Sequence, residues 1–134
     1  MCFAVYLASD VPPPLVRWIE TEPRFNAVSI TANKKLIKKQ FLHPYIVYAG
    51  SHEGCGCGFV KDGETGDDLA LVQTNYDALV LYLSEQMATG AKIEIFSCWE
   101  GEQGAAPETK EKITLDKLGT KEFEFQIKAY YEVA

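Results

Sequence analysis

The most constraining feature of the chain is a run of apolar residues that recur at spacings of three and four. The run consists of Leu69, Val72, Tyr76, Leu79, Val80, Leu83 and Met87. This period places them along one side of a long amphipathic α-helix. Asp67 and Asp68 precede the run, where negative charge suits a helix N-terminus, and Gly90 follows it as a C-terminal cap. Any fold of this chain must therefore cover the apolar side of one long helix.

The segments on either side of this helix have the composition and alternation of β-strands. Residues 2–8 place apolar side chains on both faces, which indicates a central strand that is covered from both sides. Further strands are predicted over residues 25–31, 45–51, 91–99 and 123–133. The last of these alternates cleanly, so we expect it to be antiparallel with one face exposed to solvent.

The order of these elements indicates the fold class. Several strands are followed by one long helix and then by further strands, without a regular βαβ order or an internal repeat. The simplest arrangement is a single α+β domain over residues 1–134, with the helix packed on one face of a mainly antiparallel sheet. A chain of 134 residues can bury a core of its own and needs no disulfide or metal to fold. The glycine-containing acidic segment 100–111 is predicted to be a loop.

The segment 34–41 combines an apolar pair, Leu36 and Ile37, with a cluster of positive charge. The charged residues are Lys34, Lys35, Lys38 and Lys39. Propensity does not decide between a strand and a short helix here. Four lysines can bind a phosphate group. Such runs more often lie on the solvent-exposed edge of a sheet, where their charge prevents aggregation, and we favour that interpretation.

Charge and hydropathy argue against two classes of partner. The formal net charge is -6, which opposes nonspecific binding to nucleic acid or to an anionic membrane surface. The opening segment MCFAVYLASD has no charged leader, and its apolar part is too short for a signal peptide or a membrane span. We therefore expect a cytoplasmic protein without nucleic-acid or membrane partners. The partners we expect are another protein or a second copy of the chain.

The main candidate for a functional site is the stretch SHEGCGCGF, residues 51–59, at the end of a predicted strand. Cys55 and Cys57 stand one residue apart and are flanked by glycines. Glycine lets the backbone turn sharply and aim several N–H groups at one point, which favours thiolate sulfur. We call residues 51–59 the thiol turn, and we expect a rigid frame to position both thiols.

One interpretation of the thiol turn is a soft-metal site, with zinc as the expected ion. A glycine-flanked turn can bring the sulfurs of Cys55 and Cys57 within about 2.3 Å of one ion. Cys98, near the end of a predicted strand, is the candidate third ligand, and Cys2 or His52 is the fourth. A single C-x-C is less specific for zinc than paired C-x-x-C motifs.

Two other interpretations of the thiol turn are open. In the first, Cys55 or Cys57 is a nucleophile or half of a redox-active disulfide, with His52 as the base. In the second, the cysteines are buried apolar side chains of a non-enzymatic binding or regulatory module. Free cysteine is among the most buried residue types, so we favour the module. Whether the protein is an enzyme stays open, and no catalytic residue is assigned.

Three runs of the sequence are distinctive enough to compare with known families. They are the opening MCFAVYLASD, VYAGSHEGCGCGF (47–59) and IEIFSCWEGEQ (93–103). They resemble a small family of uncharacterised bacterial proteins that share the GSHEGCGCGF and SCWEGE-like stretches. The resemblance covers most of the chain in outline and is specific only in these runs. It marks the thiol turn and residues 98–101 as family features and implies no activity, cofactor or residue role.

The four cysteines lead to the first prediction. Because the chain shows no export signal and has enough core to fold unaided, we expect all four to be reduced in protein made in the cytosol. Intact mass after alkylation in denaturant should show four added labels. A loss of two labels that return only after reductant would contradict this expectation and favour the redox interpretation.

Overall fold

The structure of the protein is a computed structural model that describes residues 2–20 and 25–134. Its strands are β1 (Phe3–Ser9), β2 (Asn26–Ser29), β3 (Tyr45–Gly50), β4 (Ile93–Trp99), β5 (Thr109–Ile113) and β6 (Ala129–Val133). Its α-helices are α1 (Gly66–Met87) and α2 (Leu115–Leu118). Two 3₁₀ helices span Ala32–Gln40 and Gly56–Phe59. This is the α+β class that the order of the sequence patterns predicts.

The strands of the described residues form one six-stranded sheet in the order β2-β3-β1-β4-β6-β5. Neighbouring strands are antiparallel, except that β5 and β6 are parallel. The β1 strand pairs with β3 on one side and with β4 on the other, and all seven of its residues are buried. It is the central strand that its two-sided apolar pattern predicts.

The larger hydrophobic core lies between α1 and one face of the sheet. The helix contributes Val72, Tyr76, Leu79 and Leu83, which all belong to the predicted apolar run. The sheet contributes alternate residues of its strands, because successive side chains of a strand point to opposite faces. These sheet residues include Phe3, Val5, Leu7, Ile93 and Ile95. The prediction of one helix packed on one face is therefore confirmed.

The opposite face of the sheet is covered by the lysine-rich 3₁₀ helix, Ala32–Gln40. From this helix Ile37 is fully buried, and it packs in a smaller cluster with Ala4, Tyr6, Phe96 and Cys98. Its neighbour Leu36 is exposed, as are the side chains of three of the four lysines in the run. The ambiguity between strand and helix in segment 34–41 is thus resolved as a 3₁₀ helix.

The last strand is shorter than its alternating sequence predicts. The prediction placed it over residues 123–133, whereas β6 begins at Ala129. Lys128 adopts a left-handed φ of 51°, which interrupts the extended backbone. Phe123 and Phe125 are buried against α1 without belonging to a strand, and Ile127 is exposed. The alternation therefore correctly marked the two phenylalanine side chains as buried, but it did not predict where the strand begins.

The acidic segment 100–111 is only partly a loop, because β5 begins at Thr109. The loop that precedes β5 is held by buried amide contacts. Gln103 is buried, and its Nε2 donates to the Tyr6 hydroxyl at 3.1 Å. Gln40 of the lysine-rich 3₁₀ helix donates to the Gln103 carbonyl at 2.8 Å. This segment therefore ties the covering 3₁₀ helix to the sheet.

The helix α1 offers a matched test of the core, since Leu79 is fully buried and Leu81 on the same helix is 61% exposed. We expect Leu79→Ala to lower the free energy of unfolding by about 2–5 kcal/mol through lost burial and a residual cavity. Leu81→Ala should change it by about 0.5 kcal/mol or less. Urea unfolding measures both variants. Equal losses would contradict the assignment of the buried face.

Candidate functional site

The thiol turn is closed by Ser51, the residue that follows β3. Ser51 is fully buried, its N–H donates to the Cys55 carbonyl at 2.8 Å, and its hydroxyl donates to the same oxygen at 2.5 Å. The hydroxyl oxygen also accepts the Gly58 N–H at 3.0 Å. Gly54 adopts a φ of 83°, a left-handed conformation that glycine adopts without strain. One side chain therefore fixes both ends of the loop that carries the cysteines.

The turn lies directly against the beginning of β1. A Cβ atom on Gly56 would stand 2.6 Å from the Phe3 carbonyl oxygen, so only glycine allows this approach of two backbones. The Gly56 N–H donates to the Tyr48 hydroxyl at 3.2 Å. The Phe3 N–H donates to the Cys57 sulfur at 3.3 Å. The neighbour of Phe3 in the sequence, Cys2, is thereby brought to the turn.

Three thiols meet at this junction. The Sγ atoms of Cys2, Cys55 and Cys57 all lie within 4.8 Å of one another. Cys2 is exposed and the other two are half-buried, so the group is open to solvent on one side. All three residues are among the metal ligands that the sequence suggests, and here Cys2 completes the group.

Cys98, the expected third ligand, lies elsewhere. Its side chain is fully buried in the smaller cluster on the face that the lysine-rich 3₁₀ helix covers. Cys57, in contrast, packs against the core on the α1 face. The register of the sheet explains the separation, because Cys98 pairs with Ala4 and shares its face of the sheet. Cys98, which the sequence suggests as the third ligand, therefore lies outside the group that Cys2, Cys55 and Cys57 form.

His52 also stands apart from the three-thiol group and is held by Asn75 of α1. The Asn75 Oδ1 accepts the His52 backbone N–H at 3.0 Å, and its Nδ2 donates to the Gly58 carbonyl at 2.9 Å. These two bonds fix the orientation of the amide. The same Nδ2 lies 2.8 Å from His52 Nδ1, which must therefore accept the bond. Neutral His52 accordingly carries its proton on Nε2, the nitrogen near Glu53.

Sequence inspection missed Ser51 and Asn75, the two side chains that position the turn. A signal for Asn75 is present, because it stands three residues after Val72 and four before Leu79. A polar residue at that spacing lies on the core-facing side of the helix, where its amide must find partners. Ser51 offers no comparable signal, since a serine after a strand is common in turns.

The environment of Cys57 does not resemble that of an activated thiol. Burial raises the pKa of Cys57, and the hydrogen bond from the Phe3 N–H opposes that rise only in part. The nitrogen through which neutral His52 would accept a proton already receives the Asn75 amide. Burial also raises the pKa of Cys98, to about 12. The raised pKa of Cys57 and the hydrogen bond that occupies His52 Nδ1 therefore do not favour nucleophilic catalysis at Cys57 with His52 as its base.

A polar cavity of about 280 Å³ adjoins the thiol group. Its wall includes Cys57 and His52 together with the carboxylates of Glu53, Glu64 and Asp68. Carboxylates around a cleft create a negative potential that attracts cations. The cavity therefore offers a positively charged species a favourable approach to Cys57.

Comparisons with known proteins give no match to any family model, to any curated protein or to any solved structure. In the described part of the chain, no helix is both long and apolar enough to cross a membrane.

Asn75 provides a test of how the turn is positioned. Asn75→Ala removes three hydrogen bonds to the turn, and we expect the free energy of unfolding to fall by roughly 2–4 kcal/mol at about 1 kcal/mol per bond. Alkylation of Cys57 in the folded protein should also become faster. Thr74→Ala, on the exposed side of the same helix, is the control and should change neither quantity. Unchanged stability of the Asn75 variant would show that the turn does not depend on it.

Proposed function

We propose that the protein is a small metal-binding module that holds one soft metal ion on the thiolates of Cys2, Cys55 and Cys57. The observation that supports this is the mutual approach of the three sulfurs within 4.8 Å. Sulfurs bound to one tetrahedral zinc ion are about 3.8 Å apart, given Zn–S bonds of about 2.3 Å. Only small rotations of the side chains would close the group onto an ion.

The chemistry of the donors favours a soft cation. Thiolate ligands select zinc, monovalent copper or iron–sulfur clusters over calcium and magnesium, which prefer oxygen. Metal binding releases the thiol protons, so burial of Cys57 opposes binding in acid and does not prevent it at neutral pH. With three protein ligands, zinc would keep a fourth position for water or for a group supplied by a partner.

The neighbouring groups support binding rather than catalysis. The acidic cavity beside Cys57 favours the approach of a cation, and the Phe3 N–H stabilises the negative charge of a metal-bound sulfur. His52 is committed to Asn75, so the proposal assigns it a supporting role outside the ligand set. The proposal requires reduced thiols, which reducing compartments maintain, so it includes a cytoplasmic location.

Metal titration tests the proposal. The reduced protein is titrated with zinc, and separately with monovalent copper, in competition with a chromophoric chelator. We expect one ion per chain and a rise in melting temperature, because the ion binds only the folded state. Cys57→Ser should weaken binding roughly 100-fold or more, since it removes a direct ligand.

Cys98→Ala is the matched control, because it removes a thiol that lies outside the three-thiol group. It should retain the metal affinity of the original chain at 25 °C, even if the cavity that it leaves lowers stability. Two results would exclude the proposal. One is failure of the reduced, folded protein to bind either ion, and the other is an equal loss of affinity in the Cys57 and Cys98 variants.

A further inference from the structure

A surface groove lies outside the three-thiol group, between the proline-rich segment and the lysine-rich 3₁₀ helix. It has a volume of about 520 Å³, and we call its lining residues at the start of β3, Tyr45, Ile46 and Val47, the floor. Its apolar lining includes Pro12, Pro13, Leu15, Ile30, Tyr45 and Ile46. Leu15 is 63% exposed and Tyr45 is 44% exposed, so large apolar surface faces solvent here. Contiguous apolar surface of this kind marks binding sites in folded proteins.

The charge of the groove is opposite to that of the whole chain. The charged residues in its lining are Lys35 and Lys38, and no acidic residue of the described chain contributes to it. Lys34, the preceding lysine, is neutralised by an ion pair with Glu100. Neither Lys35 nor Lys38 makes an ion pair with a described residue. The groove therefore combines apolar residues with two lysines that have no ion-pair partner among the described residues, in a protein of net charge -6.

We propose that this groove binds a short acidic peptide segment of a partner protein. Apolar side chains of the segment would lie on the floor, between Leu15 and Tyr45, and its carboxylates would pair with Lys35 and Lys38. The consecutive residues Pro12 and Pro13 fix one wall, because proline restricts its own φ and that of the preceding residue. A preformed wall lowers the conformational entropy lost on binding.

The charge distribution selects a peptide over two other occupants. A nucleic acid carries a long array of phosphates, and the net charge of -6 would repel those that lie outside the groove. The carboxylates of a short peptide can all lie close to the two lysines. A second copy that paired with the two lysines would have to present carboxylates from a different surface, because the described lining of the groove has none. Such a contact between unlike surfaces leads to open chains of molecules unless its rotation closes a ring.

The test uses a displayed library of random dodecapeptides as the probe. The library is selected on the full-length protein and counter-selected on the double variant Lys35→Glu/Lys38→Glu. We expect the surviving peptides to be enriched in aspartate and glutamate next to leucine, phenylalanine or another large apolar residue. A synthetic peptide of the enriched sequence should bind at least about tenfold more weakly to the double variant, and its binding to the original chain should weaken with salt.

Two control variants distinguish loss of binding in the groove from effects of overall charge and of unfolding. Lys117→Glu/Lys121→Glu makes the same charge change at exposed sites outside the groove and should retain binding. Leu15→Ser keeps both lysines and should weaken binding by removing the apolar contact. Circular dichroism of each variant confirms that it is folded. In methyl NMR spectra, the peptide should shift Leu15, Ile30 and Ile46.

Several outcomes would overturn the inference. Among them are selected peptides that are not acidic, that bind the Lys35/Lys38 double variant equally well, or that shift methyl groups outside the groove. Tighter binding of a single-stranded oligonucleotide through the same lysines would identify a phosphate-binding surface instead. Self-association in sedimentation that the double variant abolishes would identify a second copy as the occupant. None of these measurements involves the thiols, so they are independent of the metal proposal.

Discussion

The contact between the backbones of Gly56 and Phe3 is the constraint on which the rest of the site depends. It requires the absence of a side chain at residue 56, because a Cβ atom there would lie 2.6 Å from the Phe3 oxygen. Once the two backbones are this close, the Phe3 N–H reaches the Cys57 sulfur and Cys2 reaches both thiols of the turn. Gly56 thus lets the turn lie on a strand, whereas Gly54 supplies the left-handed backbone conformation of the turn.

The parts of the fold that the sequence predicts well are those in which one periodic pattern faces one environment. The apolar run of α1 and the two-sided pattern of β1 are of this kind, and both elements are confirmed. The prediction of the last strand was wrong because one alternating pattern covers two different structures. From Phe123 to Val133 the alternation continues through Lys128, whose left-handed backbone ends one segment and begins β6. The spacing of apolar residues indicates which side chains are buried, and burial alone does not identify a strand.

The three-thiol group shows a similar limit of sequence-based prediction. Cys55 and Cys57 follow from local spacing, but the third thiol depends on which strand the turn lies against. Cys98 lies on the opposite face of β4 from Ile93 and Ile95. The sequence pattern gave no information on which face carries the turn, because that is set by the packing of residues 56–59 against α1 and β1. Tertiary contacts therefore place Cys2, and not Cys98, beside Cys55 and Cys57, and no local sequence pattern predicts these contacts.

The same geometry would link the proposed metal binding to the stability of the whole sheet. Cys2 immediately precedes β1, and its carbonyl accepts the Glu100 N–H at 2.8 Å just beyond the end of β4. The other two thiols lie on the turn that Asn75 ties to α1. An ion on all three sulfurs would therefore cross-link the central strand to a turn held by the helix. Local fraying of either segment would break the site, so the binding energy of the ion would oppose both local and global unfolding.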